Sequence, residues 1–116
     1  MKIAIVGSRT FNDYDLLEKI IYKQMCVSSI NLIVSGGAKG ADYLAERFAK
    51  KHNIPIQIFQ AEWNKYGKGA GYIRNKLIIE NVDIVFAFWD GKSKGTKHSI
   101  NLAKKENKEL YITKIK

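Results

Sequence analysis

NLIVSGGAKGAD, at residues 31–42, joins a short apolar run to a glycine-rich loop and the start of a helical pattern. The strand predicted at residues 31–34 is continuously apolar from Leu32 to Val34, which is typical of a strand buried on both faces of a parallel sheet. From Ala41 to about Lys51, apolar residues recur at helical spacing. This stretch therefore predicts a strand, a loop and a helix in succession, the basic unit of an α/β fold.

The same alternation extends along the rest of the chain. Further strands are predicted at residues 3–6, 56–59, 83–88 and 110–113. Further helices are predicted from Asn12 or Asp13, over residues 70–81 with Ile73, Leu77 and Ile78 facing inward, and over residues 96–107. Strands that alternate with helices form a parallel sheet covered on both faces. We therefore predict a single α/β domain over residues 1–116, with a doubly wound sheet of about five mainly parallel strands.

Composition and charge narrow the class of protein. With 116 residues and 46% hydrophobic residues, the chain is long enough to form one domain with a real core. Cys26 is the single cysteine, so no intrachain disulfide can form, and no apolar run approaches the ~18 residues of a membrane span. We expect a cytoplasmic protein without a signal peptide. The net charge of +9 favours anionic partners but does not choose among nucleotides, nucleic acid and simple solubility.

Glycine occurs with hydroxyl or basic side chains in four segments that follow predicted strands: residues 7–9, 35–42, 68–75 and 90–96. Glycine lets a backbone approach a ligand closely, while exposed N–H groups and basic side chains attract phosphate oxygens. In open α/β sheets, ligands bind beyond the carboxyl ends of the strands. The four segments therefore predict one phosphate-binding site at that edge.

The first two segments supply an arginine and a helix N-terminus. Arg9 is predicted to pair with phosphate oxygens, although a tight turn with a surface arginine is the alternative. Residues 35–42 lack both the Gly-Lys-Ser/Thr ending of a P-loop and the Gly-x-Gly-x-x-Gly spacing of a dinucleotide fold. Asp42 either complements the dipole of the helix that begins there or accepts a hydrogen bond from a ribose hydroxyl.

The last two segments add aromatic and polar candidates. Trp63 or Trp89 is predicted to stack on a base, with packing in a lid or in the core as the alternative. Arg74, in the first turn of a helix, is predicted to face the anion. Asp90 is either a ligand partner or a brace for its loop. His52 and His98 have no partner at metal-ligand spacing, and we predict neither a metal nor a cofactor.

The motifs VGSR at residues 6–9, SGGAKGAD at 35–42, RN at 74–75 and FWDGKSKGT at 88–96 resemble the SLOG superfamily, in particular its YspA-like branch. The resemblance covers nearly the whole chain. It implies a Rossmann-like domain that binds a nucleotide or a nucleotide-derived ligand, and a phage or bacterial source. The ligand-binding residues predicted on this basis are Gly7, Ser8, Arg9, Ser35, Gly36, Gly37, Ala38, Gly40, Asp42, Trp63, Arg74, Asn75, Trp89, Asp90, Ser93, Gly95 and Thr96.

Two groups of relatives imply different alternatives. LOG enzymes cleave the N-glycosidic bond of nucleoside monophosphates with an arginine that matches Arg74 and a glutamate whose position holds Ser99 here. Serine does not replace a carboxylate in that chemistry, so catalysis would need Asp42, Glu62 or Asp90.

DprA (Smf) proteins carry similar motifs and bind single-stranded DNA, which the net charge of +9 also favours. The main prediction is a sensor or sequestering module for a nucleotide. An N-glycosidase and a single-strand-binding protein are the alternatives, and self-association is left open.

Overall fold

The computed structural model describes residues 1–115 and shows an α/β fold in which five strands alternate with helices. The strands are β1 (Lys2–Gly7), β2 (Leu32–Ser35), β3 (Ile56–Ile58), β4 (Ile84–Trp89) and β5 (Glu109–Lys114). The helices are α1 (Tyr14–Gln24), α2 (Ala41–Lys51), α3 (Trp63–Tyr66), α4 (Ala70–Glu80) and α5 (Lys94–Lys105), with 3₁₀ turns at Val27–Ser29 and Gly67–Gly69. The predicted fold class is confirmed.

All five strands are parallel and lie in the order β3-β2-β1-β4-β5. The chain runs outward from β1 to β3 and then returns to form β4 on the other side of β1. The strand order thus reverses between β1 and β4, which pair from Ile3 with Ile84 to Gly7 with Phe88. A reversal of this kind opens a crevice at the carboxyl ends of the two strands, where ligands of α/β proteins bind.

The sheet carries one core layer on each face because side chains of a strand alternate in direction. Ile5 and Phe86 face α1 and α2 in one layer, whereas Ala4 and Val85 face α4 and α5 in the other. Both layers are closed to solvent at the centre of the sheet, and all four of these residues have 0% exposure. Burial on both faces explains why β1 and β4 are continuous apolar runs in the sequence.

The inward face predicted for the helix over residues 70–81 is partly wrong. Ile78 is buried as expected, but Ile73 and Leu77 are 39% and 43% exposed. The face of α4 that packs on the sheet contains Asn75, Ile78 and Ile79 instead. Apolar residues occur all round this helix, so its periodicity does not define a single inward side.

The predicted helix starts agree with the structure at α1, α2 and α4 but not at α5. Asp13 caps α1, since its carboxylate accepts a hydrogen bond of 3.1 Å from the N–H of Leu16. The last helix begins at Lys94 rather than at Thr96, because Ser93 is its N-cap. Within residues 1–115, none of the helices is both long and apolar enough to cross a bilayer.

Candidate functional site

A cleft with a volume of about 370 Å³ lies at the carboxyl ends of β1 and β4, where the strand order reverses. The loops after β1, β2 and β4 contribute to it, together with the first turns of α4 and α5. Its lining residues are Val6, Gly7, Ser8, Arg9, Thr10, Ala38, Asp42, Arg74, Asn75, Ile78, Asp90, Ser93, Gly95, Thr96 and Ser99. All four segments singled out in the sequence contribute side chains to this cleft. The segment at residues 68–75 contributes only its last two residues, Arg74 and Asn75.

The loop after β1 connects the two sides of the cleft. The N–H of Ser8 donates a hydrogen bond of 3.0 Å to the carbonyl of Phe88, and its buried hydroxyl accepts one of 3.2 Å from the N–H of Asp90. The neighbouring Arg9 is exposed, and its side chain has no hydrogen-bond or ion-pair partner among residues 1–115. Its guanidinium group is therefore available at the mouth of the cleft.

The loop at residues 36–40, here called the β2 loop, lies directly on the loop after β1. Gly40 has a φ of 74°, and a Cβ atom there would lie 2.3 Å from the carbonyl oxygen of Ser8. Side chains at this position are excluded both by the backbone conformation and by this contact. The N–H of Ala41 also donates to the carbonyl of Ser8, at 3.3 Å, so the N-terminus of α2 is fixed against β1.

Asp42 closes the β2 loop from the first turn of α2. Its Oδ2 accepts a hydrogen bond of 3.1 Å from the N–H of Ala38. Burial raises the pKa of Asp42, while the Ala38 N–H and the nearby Arg74 guanidinium oppose this shift. Asp42 also borders the cleft, so it holds the loop and remains within reach of a ligand.

Arg74 reaches the β2 loop from α4. Its Nη1 donates to the carbonyl of Gly36 at 2.9 Å, and its Nε donates to Oδ1 of Asn75 at 3.1 Å. A Cβ atom on Gly36 would lie only 2.4 Å from Nη1, so glycine is needed for this approach. Burial lowers the pKa of Arg74, and Arg9 adds to this shift, while the nearby Asp42 carboxylate opposes it. A guanidinium has five N–H donors, and the three that have no partner among residues 1–115 are free for a ligand in the cleft.

The loop at residues 90–93, here called the β4 loop, is held by its own side chains. Asp90 Oδ1 accepts hydrogen bonds of 2.8 Å from the N–H groups of Lys92 and Ser93, which lowers the pKa of this carboxyl. Ser93 Oγ accepts from the N–H of Thr96 at 3.3 Å and so caps α5. Of the two roles considered for Asp90, the structure shows the loop brace.

Asn75 connects α4 to the start of α5. This buried side chain donates from Nδ2 to the carbonyl of Gly95 at 3.3 Å and lies 3.3 Å from Nδ1 of His98. Its Oδ1 is the acceptor for Arg74. The pair Arg74-Asn75 thus fixes the positions of both the β2 loop and the N-terminal turn of α5.

Two further depressions adjoin the cleft. The Trp63 pocket, of about 300 Å³, is lined by Arg9, Gly36, Gly37, Ala38, Gln60, Ala61, Trp63 and Arg74. The α2 groove, of about 680 Å³, is lined by Arg9, Thr10, Phe11, Asn12, Gly37, Ala38, Lys39, Gly40, Tyr43, Leu44, Glu46 and Arg47. Arg9 and Ala38 border all three spaces. The three depressions therefore meet at these two residues.

Some of the predicted site residues lie away from the cleft. Ser35 is buried at the end of β2, and Trp89 packs in the core layer under α4 and α5, where its indole N–H donates to the carbonyl of Ser93 at 3.0 Å. Glu62 is exposed next to α3 and borders none of the three depressions. Of the three carboxylates considered for catalysis, the structure thus brings Asp42 and Asp90 to the cleft.

Four lining residues were not among the predicted ligand-binding residues. Thr10 directly follows the Gly-Ser-Arg motif, so its position along the chain was a usable signal. Val6 is the first residue of the VGSR motif, so it had the same signal, whereas Ile78 lies three residues beyond the RN motif and reaches the cleft through the packing of α4. Ser99, which matches the position of the LOG glutamate, is buried and lines the cleft.

The fold and the cleft define a doubly wound α/β domain with two arginines at the switch point of its sheet. The chain belongs to the YspA, cpYpsA-related SLOG family, whose model matches residues 1–66. It is similar to the Gene 61 protein of Mycobacterium phage D29, with 32% identity over 111 residues that cover 90% of this chain and 89% of the phage protein. The predicted family is confirmed.

Solved structures of DNA processing protein A (DprA) share the fold. The protein from Helicobacter pylori, described for its single-stranded DNA binding mode, has a TM-score of 0.72 and 25% identity, and the match covers 100% of this chain. The protein from Streptococcus pneumoniae has a TM-score of 0.74 and 22% identity, and the match covers 96% of this chain. The chain spans 66% and 49% of these two DprA chains, respectively.

Proposed function

We propose that the cleft binds a nucleotide or a nucleotide-derived ligand by its phosphate groups, as a sensor or a sequestering module acting in the cytoplasm. The observation that carries this proposal is the pair of arginines. Arg9 and Arg74 border one cleft, and their guanidinium groups keep donors that no residue in the described part of the chain uses. Charge-assisted hydrogen bonds from arginine to phosphate are among the strongest polar contacts in proteins.

The surroundings of the arginines fit the same ligand. The N-terminal turn of α5 lines the cleft through Gly95 and Thr96, and a helix N-terminus carries partial positive charge. Trp63 is 53% exposed in the pocket that shares Arg9 and Arg74 with the cleft, so its ring is accessible to a base. A nucleotide whose phosphate lies in the cleft would have its base within reach of this pocket.

Binding is favoured over N-glycoside hydrolysis by the state of the carboxylates. The position of the LOG glutamate holds Ser99. The two carboxylates in the cleft that were considered for catalysis accept backbone hydrogen bonds, Asp42 from Ala38, and Asp90 from Lys92 and Ser93. Serine does not replace the LOG glutamate as a general acid or base, and both aspartates are restrained by the loops that they hold.

Single-stranded DNA is the second candidate ligand. It is favoured by the structural likeness to the H. pylori protein, which was studied for binding such strands, and by the net charge of +9. A strand and a mononucleotide would place the same phosphate chemistry on Arg9 and Arg74. They differ in salt dependence, because a strand releases several counterions when it binds and a mononucleotide releases few.

The test is thermal unfolding with a panel of mono-, di-, cyclic and ADP-ribose-type nucleotides and a short single strand. A ligand at about 100 times its Kd adds about 2.7 kcal/mol of stability and raises Tm by several degrees. Arg9→Ala and Arg74→Ala are each expected to cost about 1.5–3 kcal/mol of binding. The matched control is Lys105→Ala, an exposed cation in the last turn of α5, which should leave affinity unchanged.

The two arginine variants also separate a binding role from a structural one. Arg9→Ala should leave Tm of the free protein unchanged, because Arg9 has no partner within residues 1–115. Arg74→Ala should lower Tm, because the variant loses two hydrogen bonds of a charged guanidinium, to Gly36 and Asn75, which each contribute at least about 1.5 kcal/mol to stability. Failure of every nucleotide and strand to bind below millimolar concentrations would refute the proposal.

A further inference from the structure

The α2 groove has the chemistry of a second nucleotide subsite. The phosphate site proposed in the cleft does not depend on it. It is lined by three cationic side chains, Arg9, Lys39 and Arg47, against one carboxylate, Glu46. Its volume of about 680 Å³ exceeds that of the cleft, at about 370 Å³. The groove thus offers both room and positive charge beside the proposed phosphate site.

An exposed aromatic ring lies in this groove. Tyr43, on the outer side of α2, is 62% exposed. Arg47 follows it by one helical turn, and its guanidinium carbon lies 4.3 Å from the centre of the Tyr14 ring. This cation–π contact fixes Arg47 on the groove wall without neutralising its charge.

The groove and the Trp63 pocket adjoin the same loop. Both are lined by Gly37 and Ala38 of the β2 loop and by Arg9, and each contains one exposed aromatic ring, Tyr43 or Trp63. Exposed aromatic rings beside a cationic surface are the usual means of holding bases of single strands and dinucleotides. A ligand with one base can use only one of the two rings.

We propose that the ligand contains two nucleosides joined through phosphate, with the linking phosphate near Arg9, one base in the Trp63 pocket and the other against Tyr43 in the α2 groove. This inference rests on the proposed function and specifies its ligand class. The shared chemistry is the phosphate-linked pair of nucleosides. Such a pair occurs as a free dinucleotide or as part of a single strand.

The experiment measures Kd by calorimetry for four kinds of probe, each prepared with every common base. These are a 5′-mononucleotide, a 5′-phosphorylated phosphodiester dinucleotide, a pyrophosphate-linked dinucleotide and a ten-nucleotide strand. At least one two-nucleoside probe should bind about tenfold tighter than the mononucleotide. Tyr43→Ala should raise the Kd of that two-nucleoside probe about tenfold, and should change the Kd of the mononucleotide by less than about twofold.

The matched control is Tyr72→Ala. Tyr72 is 50% exposed on α4 and lines none of the three depressions, so its loss should change no Kd. Equal affinity of the free dinucleotides and the strand assigns the groove to a small molecule, whereas affinity that rises with strand length assigns it to nucleic acid. Mononucleotide binding with no gain from a second nucleoside, or a gain insensitive to Tyr43→Ala, overturns this inference alone. No binding of any probe refutes the proposed function as well.

Discussion

The β2 loop and the β4 loop border the same cleft, but different parts of the chain hold them in place. The β4 loop is stabilised mainly by local contacts, in which Asp90 and Ser93 accept hydrogen bonds from N–H groups within a few residues, with one distant bond from the N–H of Asp90 to the hydroxyl of Ser8. The β2 loop has one local bond, from the N–H of Ala38 to Asp42, but depends mainly on distant partners: it packs on the carbonyl of Ser8 and accepts a hydrogen bond from Arg74, which is 38 residues from Gly36. One wall of the site is therefore held mainly by contacts between neighbouring residues, and the other mainly by contacts that form when the fold is complete.

The contact between the β2 loop and β1 should give the largest effect. Gly40→Ala places a Cβ atom against the carbonyl of Ser8 in a backbone conformation that only glycine adopts easily. We expect a loss of about 2–4 kcal/mol in the free energy of unfolding, measured by urea denaturation. Gly69→Ala is the control, because no atom lies within 4 Å of a Cβ there and its φ is −80°. Equal stability of the two variants would show that the β2 loop does not depend on this contact.

A change in the β4 loop should have a smaller and more local effect. Ser93→Ala removes the acceptor for the N–H of Thr96 and should cost about 1 kcal/mol, whereas Ser93→Gly should cost only a few tenths. Amide hydrogen exchange in the first turn of α5 should rise in Ser93→Ala, while exchange in the first turn of α2 stays as in the wild type. Faster exchange at both helices would mean that the two loops form one cooperative unit.

The two loops should also differ in how their carboxylates respond to pH. The pKa of Asp90 is lowered in the folded protein, so its contribution to stability is present above about pH 4 and is lost as pH falls through the folded-state pKa. The pKa of Asp42 is raised, so the charged form is disfavoured by folding and the wild type loses stability as pH rises from about 4 through the folded-state pKa.

Urea unfolding of Asp42→Asn and Asp90→Asn from about pH 3 to about pH 7 measures these opposite slopes. Relative to wild type, Asp42→Asn should gain stability as pH rises, and Asp90→Asn should lose it. The wild-type protein at each pH is the reference, and Glu80→Gln is the control, since Glu80 is an exposed carboxylate in the last turn of α4 that has no hydrogen-bond or ion-pair partner among residues 1–115. Parallel curves for the two loop variants would contradict the assigned pKa directions.

The same division between local and distant contacts explains what the sequence could predict. The strands and most helix starts follow from nearby residues, such as the unbroken apolar run of β4 and the cap at Asp13, whereas the cap at Ser93 was missed although it is equally local. The exposure of Ile73 and Leu77 could not be predicted, because α4 has apolar residues all round and the strands beneath it decide which side is buried.

The candidate site shows the same limit. Motifs located the arginines and glycines that border the cleft, since they follow strand ends that must meet at one edge. They did not separate Trp63, which borders a pocket, from Trp89, which packs in the core, because both are aromatic residues near a strand end. Nor did they show that Arg74 binds the carbonyl of Gly36, a contact that depends on the crossover from β3 to β4.

The positions of the two tryptophans give the protein two separate optical reporters. Trp63 is exposed beside Arg9 and Arg74, whereas the indole of Trp89 is tied to the carbonyl of Ser93 in the β4 loop. The chain has no other tryptophan. Emission from a Trp89→Phe variant would therefore follow occupancy of the Trp63 pocket, and emission from a Trp63→Phe variant would follow the conformation of the β4 loop, with no external label on either wall.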